Sequence, residues 1–299
     1  MKYAADLIQL DHVGDIGMSE MIGLMRLHVQ EVARFTTLIS QSLVLDQQQV
    51  EELMEDCNGY QVDATPFVEE TGAGNYQFSP LGLFLLKGCA KVHDIGKPLF
   101  RSIYRLERGL TEEEFVRQKM HADLTRVIVR SLLLDTRYSW QTPEIVRLVA
   151  DFAAAHQEKL DGTGYPDGKA GREIPLLGRL LAIADALSAI VNPRPYQAET
   201  PLATALEWLK RDRGSHFDEK LLDGAVAVLE QEDYSSQRFS GNWADEAGFT
   251  GDFNLLLGNA CKVQWGGVEL ELLETTQEEL SSMQNLLKEG GRSRNFSMR

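Results

Sequence analysis

Apolar positions along the chain recur at helical spacing through most of its length. In residues 19–43, Met21, Leu24, Leu27, Val32, Phe35 and Leu38 fall near a three-to-four-residue rhythm, which predicts an amphipathic helix with Ser19 as its N-cap. Further helices are predicted over 46–57 and over Leu81–His93, the latter strongly apolar. Thr111 followed by Glu114 has the form of a capping box and opens a helix through Leu134. Thr142 and Pro143 stand in the order of a cap and first-turn proline. The helix they begin turns Ile145, Val149, Phe152 and His156 inward. Pro175–Val191, 200–212 and 218–231 complete the helical set, with Asp218 as a cap.

Two stretches break the rhythm. Residues 58–80 are rich in Gly, Thr, Pro and Asn and read as an inserted loop. After about residue 235, Lys262–Trp265, Gly266-Gly267 and Val268–Leu273 read as a β-hairpin, followed by a short helix over Thr275–Glu289. The expected organisation is an N-terminal segment over 1–19, a helical domain over 20–232 and a small mixed α/β extension over 233–299.

Composition narrows the function classes. No apolar run reaches the roughly 18–20 residues that span a bilayer, and the first residues do not resemble a signal peptide, so a cytoplasmic location is expected. Cys57, Cys89 and Cys261 are too few and too scattered for a disulfide framework or a thiolate zinc site. A net charge of −15 argues against a groove that tracks DNA or RNA. It leaves room for a small anionic substrate, because bound divalent cations reverse the sign of a site locally.

The candidate chemistry centres on His93-Asp94, inside Ala90–Lys97. Adjacent His and Asp at a helix end offer one metal a neutral nitrogen and an anionic oxygen, and the second carboxylate oxygen can bridge to another metal. Along the chain follow His121, His156 and Asp185, each expected on a helix at an apolar face. Asp185 is the sharpest anomaly. It lies in Leu180–Val191, a helix apolar nearly all round, where an unpaired carboxylate needs a cation, dense donors or a buried arginine such as Arg179. Lys97, one turn after His93, reads either as a phosphate-holding charge or as a solvated lysine at a helix end. The glycine-rich loop Asp161–Gly171 reads as a flexible connector or as a rigid wall beside His156, and Arg194 suits bidentate phosphate contacts.

Taken in order, His93-Asp94-Ile95-Gly96-Lys97, His156, Gly162–Pro166, Ile174–Leu176, Asp185 and Arg194–Tyr196 resemble the HD-GYP domain, a subgroup of the HD metal-dependent phosphohydrolases. The resemblance implies an all-α HD-type helical bundle with two divalent metal ions, Fe or Mn, held by His28, His93, Asp94, His121, His156 and Asp185. It implies that Asp94 bridges the ions and that Lys97 stands near the reactive phosphate. Arg194, Gly164, Tyr165 and Pro166 would bind substrate. The activity implied is phosphodiester hydrolysis of a cyclic dinucleotide, cyclic di-GMP or cyclic GMP-AMP, by a hydroxide bridging the metals. A homodimer or a signalling-protein partner fits the same family. The sequence departs from the pattern at Leu24 and Gln157, which favours two metals over three, and at Ser188 and Gln197, which weakens the surround of the site. The competing expectations are hydrolysis of another nucleotide or phosphate ester, and a weakly active metal-containing sensor or scaffold.

Overall fold

The computed structural model describes residues 16–97, 109–134, 143–192 and 200–231. Among them are eight α-helices: α1 (Ile16–Ser42), α2 (Gln47–Asn58), α3 (Pro80–Val92), α4 (Glu112–Leu134), α5 (Pro143–Ala154), α6 (Leu176–Val191), α7 (Leu202–Arg211) and α8 (Glu219–Gln231). The result is a predominantly helical bundle with one small sheet, as the periodicity predicts. The expected extension over 233–299 and the segment Arg194–Gln197 lie outside the described residues.

Helix α6 is the axis of the bundle. Thirteen of its positions are buried, among them Leu176, Leu180, Leu181, Ile183 and Leu187. Helices α1, α2, α5, α7 and α8 pack on it, and α3 lies against α1 and α5. Val32, Phe35 and Ile39 of α1 and Phe152 of α5 are fully buried. Removing that apolar surface from water is the main stabilising term.

Several helix ends follow the sequence closely. Asp46 caps α2 in a capping box with Gln49. Ser79 Oγ accepts from Gly82 N at the start of α3, where Pro80 takes the first turn. Thr111 Oγ1 accepts from Glu114 N while Glu114 accepts from Thr111 N. Asp218 Oδ1 accepts from Leu221 N at the head of α8. Ser19, expected to cap α1, lies inside it, since the helix begins at Ile16. Helix α6 has no side-chain cap of its own; Asp56 on α2 reaches across to accept from Leu176 N at 2.7 Å.

The stretch 58–80, expected as a loop, contains ordered structure. Strands β2 (Val68–Gly72) and β3 (Asn75–Phe78) form an antiparallel hairpin, and β1 (Leu45–Asp46) adds to β3 in the order β1-β3-β2. Its turn uses positive φ at Gly72, Ala73 and Gly74. The hairpin is anchored by buried Phe67 and Phe78 and by Ser79 N donating to Phe67 O.

Arg179 does not neutralise Asp185. Its guanidinium binds Glu52 and, at 2.6 Å, Asp218, tying α6 to α2 and to the head of α8. Truncating it would leave two carboxylates facing a largely dry space. Arg179→Ala is therefore expected to destabilise the domain by about 3 kcal/mol in urea unfolding followed by circular dichroism. A change under about 0.5 kcal/mol, the level of an ordinary surface substitution, would refute that role.

Candidate metal centre

Five chain segments deliver side chains to one point. His28 comes from α1, His93 and Asp94 from the turn that ends α3, and His121 from α4. His156 lies on a 3₁₀ turn (Ala155–Gln157) just past α5 rather than on the helix itself, and Asp185 comes from α6. His93, Asp94, His121 and His156 are at most 2% exposed.

Two groups of ligand atoms form there and share a member. His28, His93, Asp94 and Asp185 make one; Asp94, His121 and His156 make the other. In the first, Nε2 of His28 lies 3.2 Å from Asp94 Oδ2 and 3.0 Å from Asp185 Oδ1. Nε2 of His93 lies 3.3 Å and 3.5 Å from the same two oxygens. In the second, Nε2 of His121 and of His156 stand 3.4 and 3.5 Å from Asp94 Oδ1. Each oxygen of Asp94 thus serves a different group.

The protonation pattern explains why these contacts are not ordinary hydrogen bonds. Nδ1 of His93, His121 and His156 lies 2.6, 2.6 and 2.7 Å from the carbonyl oxygen three residues earlier. A carbonyl only accepts, so each Nδ1 carries a proton, and Nε2 is the atom turned toward the centre, where the neutral ring offers a lone pair. His121 Nε2 and His156 Nε2 face each other at 3.4 Å. His28 Nε2, His93 Nε2, Asp94 Oδ1 and Asp185 Oδ1 are buried without a hydrogen-bond partner. Converging lone pairs repel unless a cation lies between them. Ligand atoms about 2.1 Å from one ion, at right or tetrahedral angles, sit about 3.0–3.4 Å apart, close to the 3.0–3.5 Å between these nitrogens and oxygens. The residues fit two divalent cations, and the donor set of imidazoles and carboxylates without thiolate suits Fe, Mn, Zn or Ni.

The electrostatics carry the same signature. Burial would raise Asp94, yet His93 and Lys97 outweigh it and hold the carboxyl well below its usual range. Asp185 is likewise held low, against its burial, by His28, His93 and Lys97. Burial opposes charge on His93, but Asp94 and Asp185 prevail and lift the imidazole to about 10. His121 shows the opposite balance, pressed by burial down to about 3. One proton on His93 is what the two carboxylates draw in when no stronger cation is at hand, and metal ions compete for that place.

The supporting groups were not visible as such in the sequence. Thr125 Oγ1 donates to His93 O and accepts from Gly96 N, fastening the His-Asp turn to α4. Ser188 Oγ lies 3.1 Å from His28 Nδ1, and Gln157 Nε2 donates to Asp185 Oδ2 at 3.3 Å. Ser188 and Gln157, two of the four residues that depart from the family pattern, therefore brace His28 and Asp185. Lys97 forms an ion pair with Asp94 Oδ2.

The loop after His156 is built rather than slack. Buried Glu158 accepts from Asp167 N and Lys169 N, at 2.7 and 3.0 Å, and gathers the loop around its carboxylate. Tyr165 N donates to Gln157 O, and the Tyr165-Pro166 bond is cis. At Gly164 a Cβ would stand 2.3 Å from Lys159 N, so only glycine fits. Arg126 on α4 joins Asp167 of the loop to Asp151 of α5. The Tyr165 ring meets the His121 ring edge-on at 5.9 Å.

Residues 87–221 match the family model of the HD domain. The chain carries an HD-GYP-like HD domain. A cyclic di-GMP phosphodiesterase of Vibrio cholerae serotype O1 is 34% identical over 154 residues, 51% of this chain and 30% of that protein. The cyclic di-GMP phosphodiesterase response regulator RpfG of Xanthomonas campestris pv. campestris is 32% identical over 151 residues, 49% of this chain and 38% of that protein. A 3'3'-cGAMP-specific phosphodiesterase 3 of Vibrio cholerae is 35% identical over 134 residues, 44% of this chain and 27% of that protein. The matched part of the HD domain protein spans no more than 38% of the length of these relatives.

Gly96 offers a test of the centre that leaves every ligand in place. A Cβ there would lie 2.2 Å from His121 O and 2.9 Å from Thr125 N, both backbone atoms. Gly96→Ala is expected to push the His93-Asp94 turn off α4 and lower bound metal at least about tenfold, read by elemental analysis of folded protein. Metal content equal to wild type would show that the close packing is not needed.

Proposed function

We propose that the protein is a metal-dependent phosphodiesterase that hydrolyses a cyclic dinucleotide, cyclic di-GMP or cyclic GMP-AMP, with residues 20–232 as the catalytic domain. The observation that carries this reading is the carboxylate of Asp94, shared between two sets of inward-facing lone pairs. In the first set His28, His93, Asp94 and Asp185 would hold one divalent ion; in the second Asp94, His121 and His156 would hold the other, with Fe or Mn the best match to the donors. Ions so held supply a water of lowered pKa and neutralise charge on phosphoryl oxygens. The named substrates of the relatives, cyclic di-GMP and 3'3'-cGAMP, support the choice of substrate class.

The protein's own groups then have distinct tasks. Three backbone carbonyls keep the protons of His93, His121 and His156 on Nδ1, so the centre does not reorganise when it is loaded. The ammonium of Lys97 is pinned by Asp94 beside the centre, where it can complement a phosphoryl oxygen. Tyr165, stacked edge-on against His121, forms part of the wall with Gly164 and Pro166. Arg194 is proposed as a substrate contact on its sequence position alone, since it lies outside the described residues.

A sensor or scaffold of low turnover is the competing reading, and it rests on Gln157, Ser188 and Gln197. Gln157 and Ser188 hydrogen-bond Asp185 and His28, which counts against it, and Gln197 lies outside the described residues. Hydrolysis of another phosphate ester is separated by assay of the Mn- or Fe(II)-loaded protein on cyclic di-GMP, cyclic GMP-AMP and a panel of mononucleotides.

Asp94→Ala is expected to abolish turnover and metal binding while the helical circular dichroism spectrum persists; undiminished hydrolysis would sink the assignment. Arg194→Ala should raise KM about tenfold, the scale of one charge-assisted hydrogen bond to phosphate, with little change in kcat. An unchanged KM would take Arg194 out of the pocket.

A further inference from the structure

Lys119 stands two residues before the ligand His121, and its surroundings are unusual for a surface lysine. The carboxylate it could reach at helical spacing is Asp123, but Asp123 is engaged by Arg126 at 3.2 Å. Glu113 and Glu114, earlier on α4, are taken by Arg117 and by Thr111 N. The Lys119 ammonium instead lies over two rings, 4.8 Å from the centre of Phe115 and 5.5 Å from that of Tyr165. Among the described residues no carboxylate pairs with it.

Tyr165 connects this ammonium to the metal centre. Its ring is in contact with His121, and its phenol is close enough to act on the charge of Lys97. One aromatic side chain thus neighbours two ammonium groups, one pinned at the centre by Asp94 and one outside it. Phe115 is 45% exposed and leaves the face of that outer position open. In a protein with a net charge of −15, an ammonium that lies over two rings with no carboxylate partner among the described residues stands out.

We propose that Lys119, steadied between Phe115 and Tyr165, binds the second, non-reacting phosphate of a dinucleotide and so distinguishes dinucleotides from simple phosphate esters. This rests on the phosphodiesterase reading above. A substrate with two phosphates can use two cationic positions, and Lys97 beside the centre and Lys119 outside it supply them around Tyr165. Cation–π contact holds the ammonium in place without neutralising it, so its charge is left for the ligand.

The test compares wild type, Lys119→Gln and Lys119→Arg, all Mn-loaded, on the cyclic dinucleotide turned over faster and on bis(p-nitrophenyl) phosphate, which has one phosphate. Lys119→Gln should raise KM for the dinucleotide about tenfold with kcat within about twofold. KM for the single-phosphate ester should stay at the wild-type value, and Lys119→Arg should restore the dinucleotide KM. An unmoved dinucleotide KM, or an equal rise for both substrates, overturns the role of Lys119 alone. Wild-type protein that cleaves the simple ester but neither cyclic dinucleotide overturns the substrate reading, and this inference with it.

Discussion

Everything at the centre depends on where three imidazole protons sit. His93, His121 and His156 each place Nδ1 against the carbonyl three residues back, so the helix backbone decides the tautomer. A side-chain partner could rotate or titrate; a backbone carbonyl does neither. The Nε2 atoms are therefore aimed before any ligand arrives, and Oδ1 of Asp94 and Oδ1 of Asp185 face them with no hydrogen-bond donor. Repulsion of that kind is tolerated in a folded interior only where a cation resolves it.

The bundle brings side chains from distant helices to that one point. Asp185 is buried because α6 is the axis, and the axis is apolar almost all round. Six residues separate Arg179 from Asp185, about 240° around a helix, so the two project from different faces. Arg179 accordingly joins α2 and α8 while Asp185 looks toward α1 and α3. One helix carries a structural ion pair and a functional carboxylate without short-circuiting them.

Much of this was legible along the chain, for physical reasons that differ by residue. The helices were readable because each buries one stripe, and the caps at Thr111 and Asp218 because their partners lie three residues away. Asp185 was readable as an acid in an apolar run. Thr125, Gln157, Ser188 and Arg126 were not, because their roles depend on partners 25 to 160 residues distant. His28 was reached only through the family resemblance, since its recruitment follows from the packing of α1 on α6. The β2–β3 hairpin escaped notice because β2 is exposed along nearly its whole length and carries no alternation of apolar and polar residues.

The shared centre has a mechanical side as well. The residues that could hold cations span positions 28 to 185 and come from five separate segments, so cations held there would act as a crosslink through the middle of the bundle. Loading and global stability would then become one linked equilibrium, in which tight binding raises the melting temperature and chelation lowers it. A domain built in this way would report loss of such ions as a loosening of its whole helical frame.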